Sequence, residues 1–231
     1  MNKADLRIDW ATHEAAKYAC EHWHYSATLP PSKTAKLGAW EDGRFIGVVV
    51  FGVGATADLC KRYGILREQG CELVRVALTS HLSPVSRIVA YAVKVIRNKY
   101  PGLKLCVSFA DPEQGHCGGI YQAMNWVYTG MTSVSDEYLY KGKRWHGRAF
   151  RHKYKGLEHH PDVKIVKGAA KHRYLMPLDA EMRKRILPLS KPYPKRASSE
   201  TVDTSGDQPE KGGSIPTDAL QSQKADHAAQ A

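Results

Sequence analysis

The chain has 231 residues, a formal charge of +11, 42% hydrophobic and 25% charged residues, and mean hydropathy −0.46. This length accommodates one domain of roughly 190 residues plus a tail of about 40. No apolar run is long enough to span a bilayer, and five cysteines (20, 60, 71, 106 and 117), an odd number without a C-x-x-C pair, indicate neither a disulfide framework nor a zinc ribbon. The N-terminal M-N-K-A-D-L-R-I-D-W lacks an apolar signal core, so a cytoplasmic protein without membrane contact is expected.

In chain order, Trp10 to Trp23 is expected to be a helix capped by Asp9, with Ala15, Ala16, Ala19 and Trp23 forming its apolar stripe. Leu37 to Val53 reads as a hairpin turning at Glu41-Asp42-Gly43-Arg44. Cys71 to Thr79 reads as a buried strand, after which Ser83 and Pro84 supply a cap and a first-turn proline for a helix ending at Pro101-Gly102. A further strand-like run, Leu103 to Val107, completes a βαβ unit across Cys71 to Phe109, and a short helix near Gly119 to Asn125 and strands at Val127 to Gly130 and Glu137 to Lys141 follow. The class is α/β with a mixed sheet flanked by helices.

Charge is unevenly placed. Residues 1–140 carry 15 basic and 13 acidic side chains, 141–190 carry 14 and 4, and 191–231 carry 5 and 6. The pattern predicts a catalytic domain over 1–190, a basic segment over 141–190 and a disordered tail over 191–231, whose end is poor in large apolar groups. Such a block exceeds what solubility requires and points to a polyanion. Lys143, Arg144, His146, Arg148, Arg151, Lys153, Lys155, Lys171, His172 and Arg173 are its candidate phosphate contacts, interleaved with Trp145, Phe150, Tyr154 and Tyr174, which can stack on a base.

Ser108 to Trp126, S-F-A-D-P-E-Q-G-H-C-G-G-I-Y-Q-A-M-N-W, concentrates reactive groups on a strand-to-helix corner. Asp111 beside His116 provides what a general base needs, and the Tyr121 phenol can give its proton to a leaving thiolate. Asp111 can equally cap the following turn, and Tyr121 can be a core aromatic with a satisfied hydroxyl. The turn at Ser83, Ser86 and Arg87 can hold a pyrophosphate on helix amides. His24, in H-W-H-Y after the first helix, would form with Asp111 and His116 a two-His, one-carboxylate set suited to Fe(II), although nothing in the sequence shows that they meet.

The order strand, Ser-Pro helix, strand, then G-G-I-Y-Q-A-M-N-W resembles GNAT-type acyltransferases, which bind acetyl-CoA between two splayed strands and use a tyrosine as general acid. Tyr121 matches that tyrosine, and the departure is at Leu82 to Arg87, where the usual Gly-rich loop is missing. H-W-H-Y-S, S-F-A-D…G-H-C-G-G-I-Y-Q-A-M-N-W and K-H-R-Y-L-M-P-L together resemble the phage Mom family of DNA-modification proteins over residues 20–180. That resemblance implies conversion of adenine N6 in duplex DNA to a carbamoylmethyl (acetamido) form, drawing on acetyl-CoA with iron implicated, in a bacterial host's cytoplasm, as protection from restriction. It implies functional roles for His24, Tyr25, Asp111 and Tyr121, to which Ser108 and His116 are added as neighbours; Arg75, Val76, Ala77, Leu78, Ser83, Ser86 and Arg87 are the candidate cofactor-binding residues. Reaching N6 requires base flipping. A homodimer is compatible with the sequence, and a conventional acetyltransferase or a non-enzymatic DNA-binding protein are the alternatives.

Overall fold

The computed structural model describes residues 4–53 and 59–195, so the expected tail from residue 196 onward lies outside the described residues. The fold is α/β, with strands flanked by helices, as the alternating pattern predicts. The described chain divides into two compact units, one of residues 4–53 and 73–100, the other of residues 59–72 and 101–195.

In the first unit β1 (Leu6–Trp10) pairs antiparallel with β2 (Thr34–Glu41), which pairs antiparallel with β3 (Arg44–Gly52). Asp42 and Gly43, at φ 50° and 82°, make the tight turn between β2 and β3, a left-handed geometry that suits the expected Asp-Gly hairpin. The N-terminal expectation needs correction. Leu6–Trp10 is a strand, and helix α1 (His13–Trp23) begins after Thr12, whose Oγ1 accepts the Ala15 amide at 3.1 Å, so Thr12 and not Asp9 is the cap. Ala16, Ala19 and Cys20 of α1 pack with Trp40, Phe45, Val48, Val50 and Ala77, the last from β4 (Gly70–Leu78). Helix α2 (Val85–Lys99) buries Ile88, Val89, Ala92 and Ile96 at helical spacing.

In the second unit β10 (His172–Pro177) lies between β5 (Leu105–Ala110) and β6 (Val127–Met131), antiparallel to both. Leu105, Val107, Val127 and Leu175 form one sheet face, covered by Met182 and Ile186 of α5 (Ala180–Ile186) and by Cys60, Tyr63 and Ile65. Each fully buried aliphatic chain there contributes about 1.5–3 kcal/mol, so β10 and α5 give the basic segment a share of the core. The chain between β6 and β10 forms a separate three-stranded sheet, β8 (Lys143–His146), β7 (Asp136–Tyr140) and β9 (Lys164–Lys167), with helix α4 (Gly147–Lys153). Tyr138, Tyr140 and Phe150 are its buried centre. Among the described residues, no helix is long and apolar enough to cross a membrane.

Candidate active site

The corner after β5 is built by local signals. Asp111 Oδ1 accepts the Glu113 amide at 3.0 Å and so caps a 3₁₀ turn at Pro112–Gln114, which Gly115 ends in a left-handed conformation. Gly118, at φ 83°, then opens the short helix α3 (Gly119–Gln122), and a Cβ there would overlap the Tyr174 ring. Tyr121 is thereby buried in an aromatic cluster, its ring tilted against Trp126 at 5.0 Å and Tyr174 at 5.1 Å between centroids. Buried Ser108 Oγ donates to the Tyr121 hydroxyl at 2.8 Å. Tyr174 donates to the Cys117 carbonyl at 2.5 Å, and Gln122 Nε2 reaches the Tyr174 hydroxyl at 3.1 Å. Burial pushes the Tyr174 phenol up, and the Cys117, Tyr128 and Tyr193 groups act in the same direction against the Gln122 bond.

Strand alternation divides the expected set. Ser108 stands opposite Tyr174, and Tyr174 opposite Tyr128, so these three share one face, whereas Phe109 points to the face covered by α5. Asp111 is still extended and continues the Phe109 side, where its Oδ2 meets Lys171 Nζ at 2.9 Å. Lys171 is fixed by its backbone, donating to Thr132 Oγ1 at 2.9 Å and accepting from the Thr132 amide at 2.8 Å. His116 joins Asp111 through its amide, which donates to the Asp111 carbonyl at 3.1 Å. The structure therefore brings Ser108 and Tyr121 together and gives the Asp111 carboxylate to Lys171. His172, on the Ser108 face, bonds the Tyr128 hydroxyl through Nδ1 at 3.0 Å, and burial lowers the affinity of its imidazole for a proton.

In the first unit His24 ends α1, and its Nδ1 lies 2.8 Å from the Ser26 hydroxyl and 3.1 Å from the Ser26 amide. Tyr25 stacks on His24 with ring centroids 4.3 Å apart. Arg75 is partly buried and donates to the carbonyls of Thr28 (3.2 Å) and Val74 (2.7 Å), while Val76, Ala77 and Leu78 continue β4. The start of α2 differs from expectation. Pro84 is the N-cap residue, and no side chain caps it. The amides of Leu82 and Ser83 instead donate to the Glu41 carboxylate at 2.8 and 2.6 Å. Burial opposes the charge on Glu41, but the Ser83 and Leu82 hydrogen bonds and the nearby His81 outweigh it and hold the carboxyl below its ordinary range. Ser86 and Arg87 lie in the first turn of α2, with the Arg87 guanidinium 5.4 Å from the Tyr91 ring centroid.

The iron set does not fit these residues. Among the described residues no three His, Cys, Asp or Glu side chains gather as a metal site, the Asp111 oxygens are engaged by Lys171 and the Glu113 amide, and His24 Nδ1 is engaged by Ser26.

The expected phosphate contacts divide into two groups. Arg144 binds Glu137 and, at 3.4 Å, Glu113, and the Glu137 bond raises its proton affinity. Arg151 donates to the Tyr138 hydroxyl at 3.2 Å, Arg173 to the Met131 carbonyl at 3.3 Å, and Lys171 pairs with Asp111. Lys143 and Lys153 lie over Trp145, and His146 and Lys155 are exposed; the Arg148 side chain lies outside what the structure describes. Phe150 and Tyr174, expected to stack on bases, are fully buried core residues instead. Sequence reasoning passed over Glu41 and Gln122. Glu41 sits at a hairpin end, and only the fold reveals its partner 42 residues away.

Comparison with known proteins bears on the whole of this arrangement. The chain is 27% identical over 204 residues to the methylcarbamoylase Mom of Escherichia phage Mu, covering 83% of this chain and 84% of that protein. Among solved structures it is similar to a GNAT family acetyltransferase from Elizabethkingia anophelis with acetyl-CoA bound (12% identity, 76% of this chain, 99% of that chain, TM-score 0.40). It is also similar to an N-acetyltransferase from Staphylococcus aureus (13% identity, 76% and 99%, TM-score 0.43). The model of the Mom protein family matches residues 5–195, which takes in Ser108, Tyr121, Asp111 and the basic three-stranded sheet, and the chain belongs to that family.

Proposed function

We propose that this protein modifies DNA, converting the N6 amino group of adenine in a duplex to its carbamoylmethyl form with acetyl-CoA as carbon donor, and that it shields phage DNA from restriction. The observation that carries this reading is the family match over residues 5–195, which includes every proposed site residue. The relative named a methylcarbamoylase, aligned over 83% of the chain, supports the same reading.

In this scheme Tyr121 gives its proton to the thiolate of CoA as an ammonia-level nitrogen nucleophile displaces it from the acetyl carbonyl, forming the amide, and a two-electron oxidant takes up the two hydrogens lost when the methyl carbon bonds to N6. Ser108, donating to the phenol oxygen at 2.8 Å, stabilises the phenolate left behind. The cofactor runs along Arg75, Val76, Ala77 and Leu78. Its pyrophosphate takes the first turn of α2 near Ser86 and Arg87, because Glu41 already occupies the Leu82 and Ser83 amides. His24 and Tyr25, at the end of α1, are the functional positions of the first unit. Asp111 works through its Lys171 ion pair, which keeps the β5 end and the β10 start in register. The target base, flipped from the duplex, presents an amine whose lone pair is delocalised into the ring, so its activation is the demanding part of the chemistry.

The test is mass analysis of nucleosides from DNA of cells expressing the wild-type protein and Tyr121→Phe. Carbamoylmethyl-deoxyadenosine is expected with the wild type and is lost with the variant. N-acetyldeoxyadenosine, lighter by one NH group, would indicate simple acetylation, and unmodified DNA with acetyl-CoA turnover on small amines would replace the reading with a conventional acetyltransferase.

A further inference from the structure

We infer that Lys143 and Lys153, held over the Trp145 indole, form a phosphate clamp for the backbone of duplex DNA on the three-stranded sheet. This inference rests on the DNA-modification reading above and assigns the docking role to two residues of the basic segment.

The two lysines reach the same ring from different elements. Lys143 comes from β8 and Lys153 from the end of α4, and their ammonium groups lie 4.7 and 4.9 Å from the Trp145 centroid. The two charges are therefore within about 10 Å of each other. Lys153 is also 5.6 Å from the Tyr154 centroid. Trp145 itself is held edge-on against Tyr154, with centroids 5.3 Å apart, and packs on the Tyr138, Tyr140 and Phe150 cluster, so the platform is rigid. Contact with π faces pre-orders two long side chains without neutralising them.

Three basic neighbours differ in this respect. Arg144 is bound to Glu137 and Glu113, Lys167 to Asp136 at 2.6 Å, and Lys171 to Asp111. Among the described residues Lys143 and Lys153 have no carboxylate partner, although both are exposed. Two like charges held close together with no internal counterion attract an external anion. A phosphodiester backbone supplies anions at close, regular spacing, and each neutralised phosphate releases counterions. The indole cannot serve as a stacking platform for a base while lysines occupy it, so the site reads backbone charge and not sequence. It is a docking element for a duplex in any sequence context, leaving base selection to the catalytic site.

The experiment is fluorescence anisotropy of a labelled 30-base-pair duplex across a salt series, using the full chain. Lys143→Gln with Lys153→Gln is expected to weaken binding at least about tenfold and to reduce the slope of log K against log salt by about 2. The same charge loss on the exposed face of α2, Lys94→Gln with Lys99→Gln, should leave both unchanged, and Lys143→Arg with Lys153→Arg should restore binding. Undiminished affinity and slope in the first variant, or an equal fall in the α2 control, overturns the clamp. If the wild-type protein shows no salt-dependent duplex binding, the DNA reading fails along with the clamp. Wild-type binding with an unaffected clamp variant removes only the clamp.

Discussion

Gly118 shows how a single residue sets the candidate site. Its φ of 83° costs an alanine about 1–2 kcal/mol, and a Cβ at that position would meet the Tyr174 ring, whose hydroxyl is tied to Cys117 beside it. Displacing Tyr174 would shift the ring that packs against Tyr121 and with it the Ser108 to Tyr121 hydrogen bond. Gly118→Ala is therefore expected to lower unfolding free energy by about 2–4 kcal/mol and to reduce modification further than the stability loss explains. Urea denaturation alongside nucleoside analysis checks this, and a stable, active variant would show that α3 tolerates a rotated start.

At the scale of elements, a carboxylate from one strand end anchors the loop before α2. Glu41, at the end of β2, receives the Leu82 and Ser83 amides, which fixes how α2 enters the first unit. Its carboxyl is held below the ordinary glutamate value near about 4.3, so its contribution is present above that pH and is lost as pH falls through the lower folded value. Glu41→Gln should destabilise the protein by about 1–2 kcal/mol near neutrality. The difference from wild type should shrink in acid and vanish below the folded value. Thermal melts of both proteins from pH 7 to pH 3 measure it. A difference that stayed constant with pH would mean that the carboxylate charge plays no part in holding the loop.

For the molecule as a whole, the family match ends at residue 195, and the second unit uses the chain up to that point. The Lys191 amide donates to the Tyr128 carbonyl at 2.8 Å, the Tyr193 hydroxyl to the Trp126 carbonyl at 2.8 Å, and Gln122 Nε2 to the Pro194 carbonyl at 3.3 Å. Residues 191–194, assigned to the tail on composition, are thus bonded to the residues surrounding Tyr121. Truncation after Lys195 should leave stability and modification at wild-type levels. Truncation after Ser190 removes three hydrogen bonds of about 1 kcal/mol each and should lower the melting temperature and impair modification. Equal behaviour of the two truncations would show that this segment adds nothing to the site.

Local chemistry made much of this protein legible in its sequence. Alternating and 3.6-residue apolar patterns marked β3, β4, α2 and β5, Asp42-Gly43 marked the hairpin, and the glycines around Tyr121 marked a corner, because each signal depends only on neighbours along the chain. Strand β1 was lost to a helical pattern that extends back to Trp10, since a short strand is recognised by its partner and not by its own residues. Tertiary structure alone decided the rest. The pairing of Glu41 with Ser83, Asp111 with Lys171, and Ser108 with Tyr121 depends on strand register and on which sheet face each side chain takes. A sequence records that a carboxylate and a lysine exist, but whether they neutralise each other or remain available to a phosphate is fixed by the distance that folding sets between them.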